Sequence, residues 1–222
     1  MEIYKVGSRG EVVKQIQRAL KLYPDGIYGM LTREAVLTFQ KENGLTADGI
    51  VGPATLAKLL PKAVSVAFSQ KKSVRTITDI VVHCTATRPN QDLNVGDIRR
   101  MHIKQGWADI GYHYVIRLDG RIEPGRDVDI VGAHVSGHNS HSIGVVYVGG
   151  LDMNGKPKDT RTESQKNALL RLLMLLRKLY PKARICGHRD FSPDKNHNGI
   201  IEPSEWIKDC PCFDAATEYR HV

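Results

Sequence analysis

A leucine-rich segment places the strongest constraint on what this chain can fold into. Thr162 and Gln165 form the capping-box pattern that begins a helix, and Pro181 ends the helix after Tyr180. Between these signals stand seven leucines: Leu169, Leu170, Leu172, Leu173, Leu175, Leu176 and Leu179. They cover so much of the helix circumference that the helix must be largely buried. We therefore predict a helix that packs against a sheet.

Two segments that we predict to be strands each end in a histidine. Residues 79–82 lead to His83, and residues 184–187 lead to His188. Open α/β sheets usually hold their functional residues at strand ends, which makes both histidines candidates. A core histidine bonded to a neighbour would give the same pattern, so the two segments alone leave both interpretations open.

The remaining patterns complete an alternation of helices and strands. Asn94 can cap a helix that ends at Gly106, and residues 143–148 are typical of a buried strand. Residues 111–117 predict a further strand, followed by a hairpin partner that ends near Glu123. This order predicts the α/β fold class, with a mixed central sheet flanked by helices.

The beginning of the chain carries an internal repeat. Residues 25–32 and 48–55 both fit the pattern DGxxGxxT. The glycines suit tight turns, and the threonine of each copy can cap the helix that begins after it. Apolar residues recur between the copies at helical spacing. We predict a small three-helix domain over 1–60, a linker over 61–75 and the α/β domain over 76–222.

The composition is that of an ordinary globular protein, with 41% hydrophobic and 25% charged residues. The formal net charge of +8 favours a polyanionic partner, either nucleic acid or an anionic envelope polymer. The cations are scattered and no nucleic-acid-binding motif is present, so we expect no nucleic acid partner. We also expect no membrane span and no signal peptide, since neither kind of apolar run occurs.

The chain contains four cysteines: Cys84, Cys186, Cys210 and Cys212. They are too few for a disulfide scaffold, so metal ligands or free buried thiols are the better expectation. Hydrolytic zinc sites take three protein ligands and leave a fourth position for water. His83, His188 and Cys210 could form such a set, although their spacing alone is a weak argument.

Five stretches add a resemblance to this argument: VVHCTAT, GWADIGYHYVI, GHNSHSIGV, GHRD and KDCPCFD. In combination they resemble the zinc-dependent N-acetylmuramoyl-L-alanine amidases of the phage-lysozyme and peptidoglycan recognition protein family. The resemblance covers most of the chain after residue 76. The repeat, with Gly7-Ser8-Arg9-Gly10, Phe39-Gln40 and Gly44-Leu45, resembles the peptidoglycan-binding module found at the ends of many wall hydrolases.

The resemblance implies roles for five residues. His83, His188 and Cys210 match the zinc ligands, and Tyr112 and Lys208 match the catalytic residues. Zinc lowers the pKa of bound water to about 7, which gives hydroxide to attack an amide carbonyl. Residues two apart in an extended segment face the same way, so Lys208 would point toward the same cavity as Cys210 and stabilise an oxyanion there. Tyr112 can orient the water or share that role.

Other residues have weaker claims to the site. We predict His134 as a pocket residue beside the ligands. His138 and His141 would need a helix to converge on a metal, and the glycines around them argue against one, so we expect them at the surface or against substrate. We expect His113 to be structural. Cys186, two residues before a predicted ligand, is an alternative ligand.

Residues 194–205 fit the calcium-loop pattern D-x-[DN]-x-[DN]-G-x5-E. The predicted ligands are Asp194, Asn196, Asn198, the carbonyl of Ile200, Glu202 and Glu205. Pro193 and Pro203 rule out a standard helix-loop-helix hand, so a solvated polar insertion is the alternative. Bound calcium would restrain the segment that carries Lys208 and Cys210.

The resemblance implies hydrolysis of the bond between N-acetylmuramic acid and L-alanine in bacterial peptidoglycan. We expect a phage or prophage endolysin, made in the bacterial cytoplasm without a signal peptide and acting on the cell wall. A non-catalytic recognition protein is one rival, although such family members typically lack the cysteine that Cys210 matches. A zinc peptidase that cuts within the stem peptide is another. The sequence indicates no oligomeric state.

Overall fold

The computed structural model describes residues 3–59 and 71–222. The chain divides into two compact units, an N-terminal one and a C-terminal one. Most of the predicted linker, residues 61–70, lies outside the described residues. Within the described ranges, no helix is both long and apolar enough to cross a membrane.

The N-terminal unit contains three helices: α1 (Glu11–Ala19), α2 (Met30–Glu42) and α3 (Pro53–Leu59). Its core consists of buried apolar side chains from all three helices and from the turns between them: Val12, Val13, Ile16, Tyr28, Val36, Val51, Leu56 and Leu59. The predicted three-helix arrangement is confirmed.

Equivalent buried glutamines organise the two copies of the repeat. The side-chain amide of Gln17 donates to Asp25 Oδ1, the Ile27 carbonyl and Thr32 Oγ1. Gln40 repeats the same three bonds, to Asp48, Ile50 and Thr55. The prediction that the threonines cap helices is wrong. Both lie inside a helix, and their hydroxyls instead accept from a buried amide that needs a partner.

The C-terminal unit contains a five-stranded mixed sheet in the order β3-β2-β4-β1-β5. The strands are β1 (Asp79–Cys84), β2 (Tyr114–Ile116), β3 (Ile122–Pro124), β4 (Ser142–Tyr147) and β5 (Arg184–Gly187). β1 lies between β4 and β5 and is parallel to both, β2 is parallel to β4, and β3 is antiparallel to β2. The central strands β1 and β4 are buried almost throughout, as in sheets covered on both faces. The predicted α/β fold class is confirmed.

Three helices accompany the sheet: α4 (Val95–Lys104), α5 (Glu163–Leu179) and α6 (Ala215–Glu218). The predicted caps are present, with Asn94 beginning α4 and Thr162 beginning α5. Gln165 docks the start of α5 on the sheet, because its buried amide donates to the carbonyls of Ile116 and Val148. The predicted burial of α5 is confirmed at Leu169, Leu170, Leu172, Leu173 and Leu176.

One predicted strand is shorter than expected. The prediction covers residues 111–117, whereas β2 covers only Tyr114–Ile116. Gly111 lies against a loop: its carbonyl accepts from Ala133 N, and a Cβ on Gly111 would come within 2.2 Å of the Ala133 oxygen. The carbonyl of Gly111 therefore bonds a loop rather than a neighbouring strand, and Tyr112 lies just before β2.

Candidate metal centre

The carboxyl edge of the sheet brings the two strand-end histidines together. β1 and β5 are parallel, and Val82 lies opposite Gly187. The residues that follow, His83 and His188, are therefore neighbours, and their ring centroids are 4.9 Å apart. His83 is 1% exposed, while His188 begins a short 3-10 turn and is partly exposed.

Cys210 reaches the same edge from an irregular segment. Two backbone bonds hold it there: Cys84 N donates to its sulfur at 3.3 Å, and Arg189 N donates to its carbonyl at 2.8 Å. Its sulfur is 3.7 Å from Nδ1 of His83. The ligand atoms of His83, His188 and Cys210 all lie within 4.8 Å of one another. Among residues 3–59 and 71–222 this is the only such group of three histidine, cysteine or acidic residues.

Close packing behind Cys210 holds the segment against the sheet. The Tyr147 hydroxyl donates to the Pro211 carbonyl at 2.7 Å. Gly187 lies against the proline ring, and a Cβ on Gly187 would come within 2.5 Å of Pro211 Cδ. A larger residue at position 187 would therefore displace Pro211 and, with it, Cys210. This contact explains the glycine that precedes His188.

The two histidines of the cluster are neutral at neutral pH. Burial lowers the pKa of His83 well below its ordinary value. Burial, followed by the positive charge of Lys208, lowers the pKa of His188 to about 4. Neutral imidazole is the form that binds metal. Two neutral nitrogens and a cysteine sulfur form a donor set that suits zinc.

The two residues predicted to be catalytic lie beside this cluster. The ring centroid of Tyr112 is 5.1 Å from that of His83, and burial raises the pKa of the Tyr112 phenol, which keeps its proton at neutral pH. Lys208 is exposed, and it lies near enough for its charge to lower the pKa of His188. The structure thus gathers all five residues at one edge of the sheet.

His134 contacts the cluster directly. Its Nδ1 lies 3.1 Å from Nε2 of His83, and burial lowers the pKa of His134 to about 2. Its other nitrogen lies 3.3 Å from Oγ of Ser142, the fully buried first residue of β4. The sequence patterns do not single out Ser142. A polar residue at the start of an otherwise apolar strand is the signal that could have identified it.

The remaining candidates lie outside the three-residue cluster. His113 is buried, and its Nδ1 accepts a backbone N–H from β4. His138 and His141 are exposed. Cys186, the alternative ligand, packs in an apolar cluster with Val81. Its sulfur is not part of the group that His83, His188 and Cys210 form.

Residues 194–205 form a loop that its own hydrogen bonds close. The Glu205 carboxylate accepts from three backbone N–H groups, those of Lys195, Asn196 and Glu202. The Asp194 carboxylate accepts from two, those of Asn198 and Gly199. In the described part of the chain, the carboxylates of this loop do not gather into a metal-binding group. The geometry therefore gives the calcium prediction no support.

Two protein families match the chain. The peptidoglycan binding domain family matches residues 9–59, and the N-acetylmuramoyl-L-alanine amidase family matches residues 73–200, which is more than half of the chain. The chain therefore belongs to the N-acetylmuramoyl-L-alanine amidase family. Its activity is that of a peptidoglycan amidase, and the resemblance seen in the sequence is confirmed.

Two phage endolysins agree with this assignment. The endolysin of Enterobacteria phage K11 is 47% identical over 133 residues, which cover 60% of this chain and 79% of the relative. The endolysin of Escherichia phage T7 is 40% identical over 149 residues, which cover 67% of this chain and 87% of the relative. A solved structure, the endolysine N-acetylmuramoyl-L-alanine amidase LysCS from Clostridium intestinale URNW, matches with a TM-score of 0.48 and 27% identity. The match covers 62% of this chain and 76% of that one.

Proposed function

We propose that this protein is a zinc-dependent endolysin that cleaves the amide bond between N-acetylmuramic acid and L-alanine. The observation that carries the proposal is the cluster of His83, His188 and Cys210, whose ligand atoms lie within 4.8 Å of one another. Three protein ligands with a fourth position left for water are typical of hydrolytic zinc sites. The endolysins of two phages, matched over most of their length, support the lytic role.

The chain's own residues supply the rest of the chemistry. When bound, zinc supplies hydroxide at neutral pH by lowering the pKa of water. The Lys208 ammonium stabilises the negative charge that develops on the carbonyl oxygen of the scissile amide. The protonated phenol of Tyr112, beside His83, donates a hydrogen bond to the water or to the same oxygen. Because the cluster lies at the sheet edge and His188 is partly exposed, substrate can reach it from solvent.

We assign wall binding to residues 1–60 and catalysis to residues 76–222. The match of residues 9–59 to the peptidoglycan binding domain family supports the first assignment. The position of the His/His/Cys cluster supports the second. The enzyme would act on the cell wall after synthesis in the bacterial cytoplasm, as the phage relatives suggest.

Mass spectrometry of digested muropeptides, together with zinc analysis, tests the proposal. We expect products that separate muramic acid from a peptide beginning with L-alanine, and one zinc ion per chain. Cys210→Ser should lose most of the zinc and the activity, whereas Cys186→Ser, a buried cysteine outside the cluster, should keep both. Cleavage within the stem peptide would favour a zinc peptidase, and binding without cleavage would favour a recognition protein. Full zinc occupancy in Cys210→Ser would refute the ligand set.

A further inference from the structure

A hydrogen-bonded chain of buried groups runs from His83 into the fold. Nε2 of His83 lies 3.1 Å from Nδ1 of His134, and Nε2 of His134 lies 3.3 Å from Oγ of Ser142. The Ser142 hydroxyl in turn lies 2.8 Å from the carbonyl oxygen of His138. His83, His134 and Ser142 are 1%, 6% and 0% exposed, so solvent water does not satisfy these groups instead.

The hydrogen bond from Ser142 to the His138 carbonyl determines which group donates and which accepts in the other two bonds. A carbonyl oxygen can only accept, so the single hydroxyl hydrogen of Ser142 goes to His138. The Ser142 oxygen must then accept from His134, which places the hydrogen of that ring on Nε2. Nδ1 of His134 is left with a lone pair and accepts from Nε2–H of His83.

The consequence for His83 is one defined tautomer. With its hydrogen on Nε2, the lone pair of His83 lies on Nδ1. Nδ1 is the nitrogen that lies 3.7 Å from Cys210 Sγ, on the side of the three-residue cluster. We propose that Ser142 and His134 are positioning residues that hold His83 in the Nε2–H tautomer and so direct Nδ1 to the metal. This inference rests on the zinc site of the proposed function.

The surrounding fold confines the His134 ring to this orientation. The ring lies against Gly144 of β4, where a Cβ would come within 2.6 Å of His134 Cδ2. A Cβ on Gly132 would come equally close to the same atom. The side chain of Asn139 fixes the backbone, because its Oδ1 accepts from His134 N and Val135 N. Groups that orient a metal-binding histidine typically raise metal affinity about 10 to 100-fold.

Two measurements on the whole protein test the proposal. In zinc-free protein labelled with 15N-histidine, NMR reports which ring nitrogen carries the hydrogen. We expect the Nε2–H form at both His83 and His134, and a mixture of tautomers at His134 in Ser142→Ala. Competition with a chromophoric chelator then measures zinc affinity. We expect a loss of about 100-fold in His134→Phe and about 10-fold in Ser142→Ala.

A rescue variant and a matched control make the result specific. In His134→Asn, the amide oxygen can take the place of Nδ1 as acceptor, so zinc affinity should recover much of the loss seen in His134→Phe. Ser73→Ala is the control. Ser73 is also a buried serine whose hydroxyl donates to a backbone carbonyl at 2.8 Å, that of Val128, but it is not part of this chain of bonds. Its removal should leave zinc affinity unchanged.

Several outcomes would overturn the proposal. An Nδ1–H form at His134 in the wild type would contradict the direction of the bonds. Unchanged zinc affinity in both His134→Phe and Ser142→Ala, or an equal loss in Ser73→Ala, would remove the positioning role. If the wild type binds no zinc, the proposed function fails, while the NMR result still decides the tautomer. His134→Phe could fail to fold, and Ser142→Ala then carries the affinity test.

Discussion

At the residue scale, a variant of Lys208 tests whether catalysis and metal binding depend on different residues. Lys208 is not one of the three proposed zinc ligands, yet its charge lies close enough to lower the pKa of His188. We expect Lys208→Ala to retain zinc and substrate binding while kcat falls about 100 to 1000-fold, the usual effect of losing an oxyanion-stabilising group. Steady-state kinetics on a soluble muropeptide, combined with zinc analysis, measures both quantities.

The matched control for this prediction is Lys182→Ala. Lys182 is an exposed lysine just before β5, whereas the cluster lies at the other end of that strand. Its removal should leave kcat unchanged. Wild-type kcat in Lys208→Ala would contradict the catalytic role, and loss of zinc from that variant would mean that Lys208 acts on the metal site instead.

His113 makes the stability of the zinc-free protein depend on pH. The residue is 1% exposed, and burial lowers its pKa from 6.5 to about 4. Between these values the unfolded chain binds a proton at His113 and the folded chain does not. Stability is therefore fully present above pH 6.5 and falls as the pH drops toward 4, by about 1.4 kcal/mol per pH unit for one such group.

Urea unfolding of zinc-free protein between pH 7 and 4 checks this prediction. Other buried histidines add to the slope, so the share of His113 is the difference between the wild type and His113→Asn. We expect the variant to have a shallower pH dependence by about one proton. The slope is the diagnostic quantity, since the substitution also lowers stability at every pH. Parallel curves for the two proteins would show that His113 does not titrate in this range.

At the element scale, the sequence predicts what depends on local signals. The capping boxes at Asn94 and Thr162 and the strands that end at the two histidines are short-range patterns, and the structure has them. The length of β2 was predicted wrongly because Gly111 bonds a loop that is distant in sequence. The position of Cys210 depends on tertiary contacts from Cys84 N and Arg189 N, so only the family resemblance could indicate it.

The 194–205 loop shows how one pattern can predict two structures. The spacing of oxygen-bearing residues fits a calcium loop, but the same carboxylates can bond the loop's own backbone. The buried side chain of Glu205 takes the second option, with three backbone N–H partners that also lower the pKa of its carboxylate. Sequence alone cannot distinguish these options because the same residues serve both.

We therefore expect Glu205→Gln to lower the melting temperature of zinc-loaded protein whether or not calcium is present. The change removes the charge that favours the bonds to the backbone and leaves the side-chain size nearly unchanged. Glu202→Gln is the control, since Glu202 is an exposed carboxylate of the same loop. A rise in the melting temperature of the wild type with millimolar calcium, lost in Glu205→Gln, would instead establish the calcium site.

At the scale of the whole molecule, the chain divides into two compact units with separate family matches. The repeat made the first unit recognisable from sequence because each copy carries its own turn and helix signals. The glutamines that organise each copy from within were not predicted, since a buried amide inside a helix leaves no distinctive local pattern. The net charge of +8 suits a protein that acts on an anionic wall polymer.

The division predicts that binding to the wall and bond cleavage are separable. A binding module raises the local concentration of the attached enzyme at its substrate without adding catalytic contacts. A shortened chain of residues 71–222 should cleave soluble muropeptides with the same kcat as the full chain, but it should clear intact sacculi up to about 100-fold more slowly. Turbidity loss of sacculi and muropeptide kinetics measure the two activities.

A point variant that keeps residues 1–70 provides a control for the shortened chain. Gln40→Ala removes the side chain that donates to Asp48, Ile50 and Thr55 and accepts from Gly49, so it should unfold or loosen the N-terminal unit alone. We expect slow clearance of sacculi with unchanged muropeptide cleavage, as for the shortened chain. Equal clearance by all three proteins would contradict a wall-binding role for the N-terminal unit. A fall in muropeptide kcat would show that this unit contributes to cleavage itself.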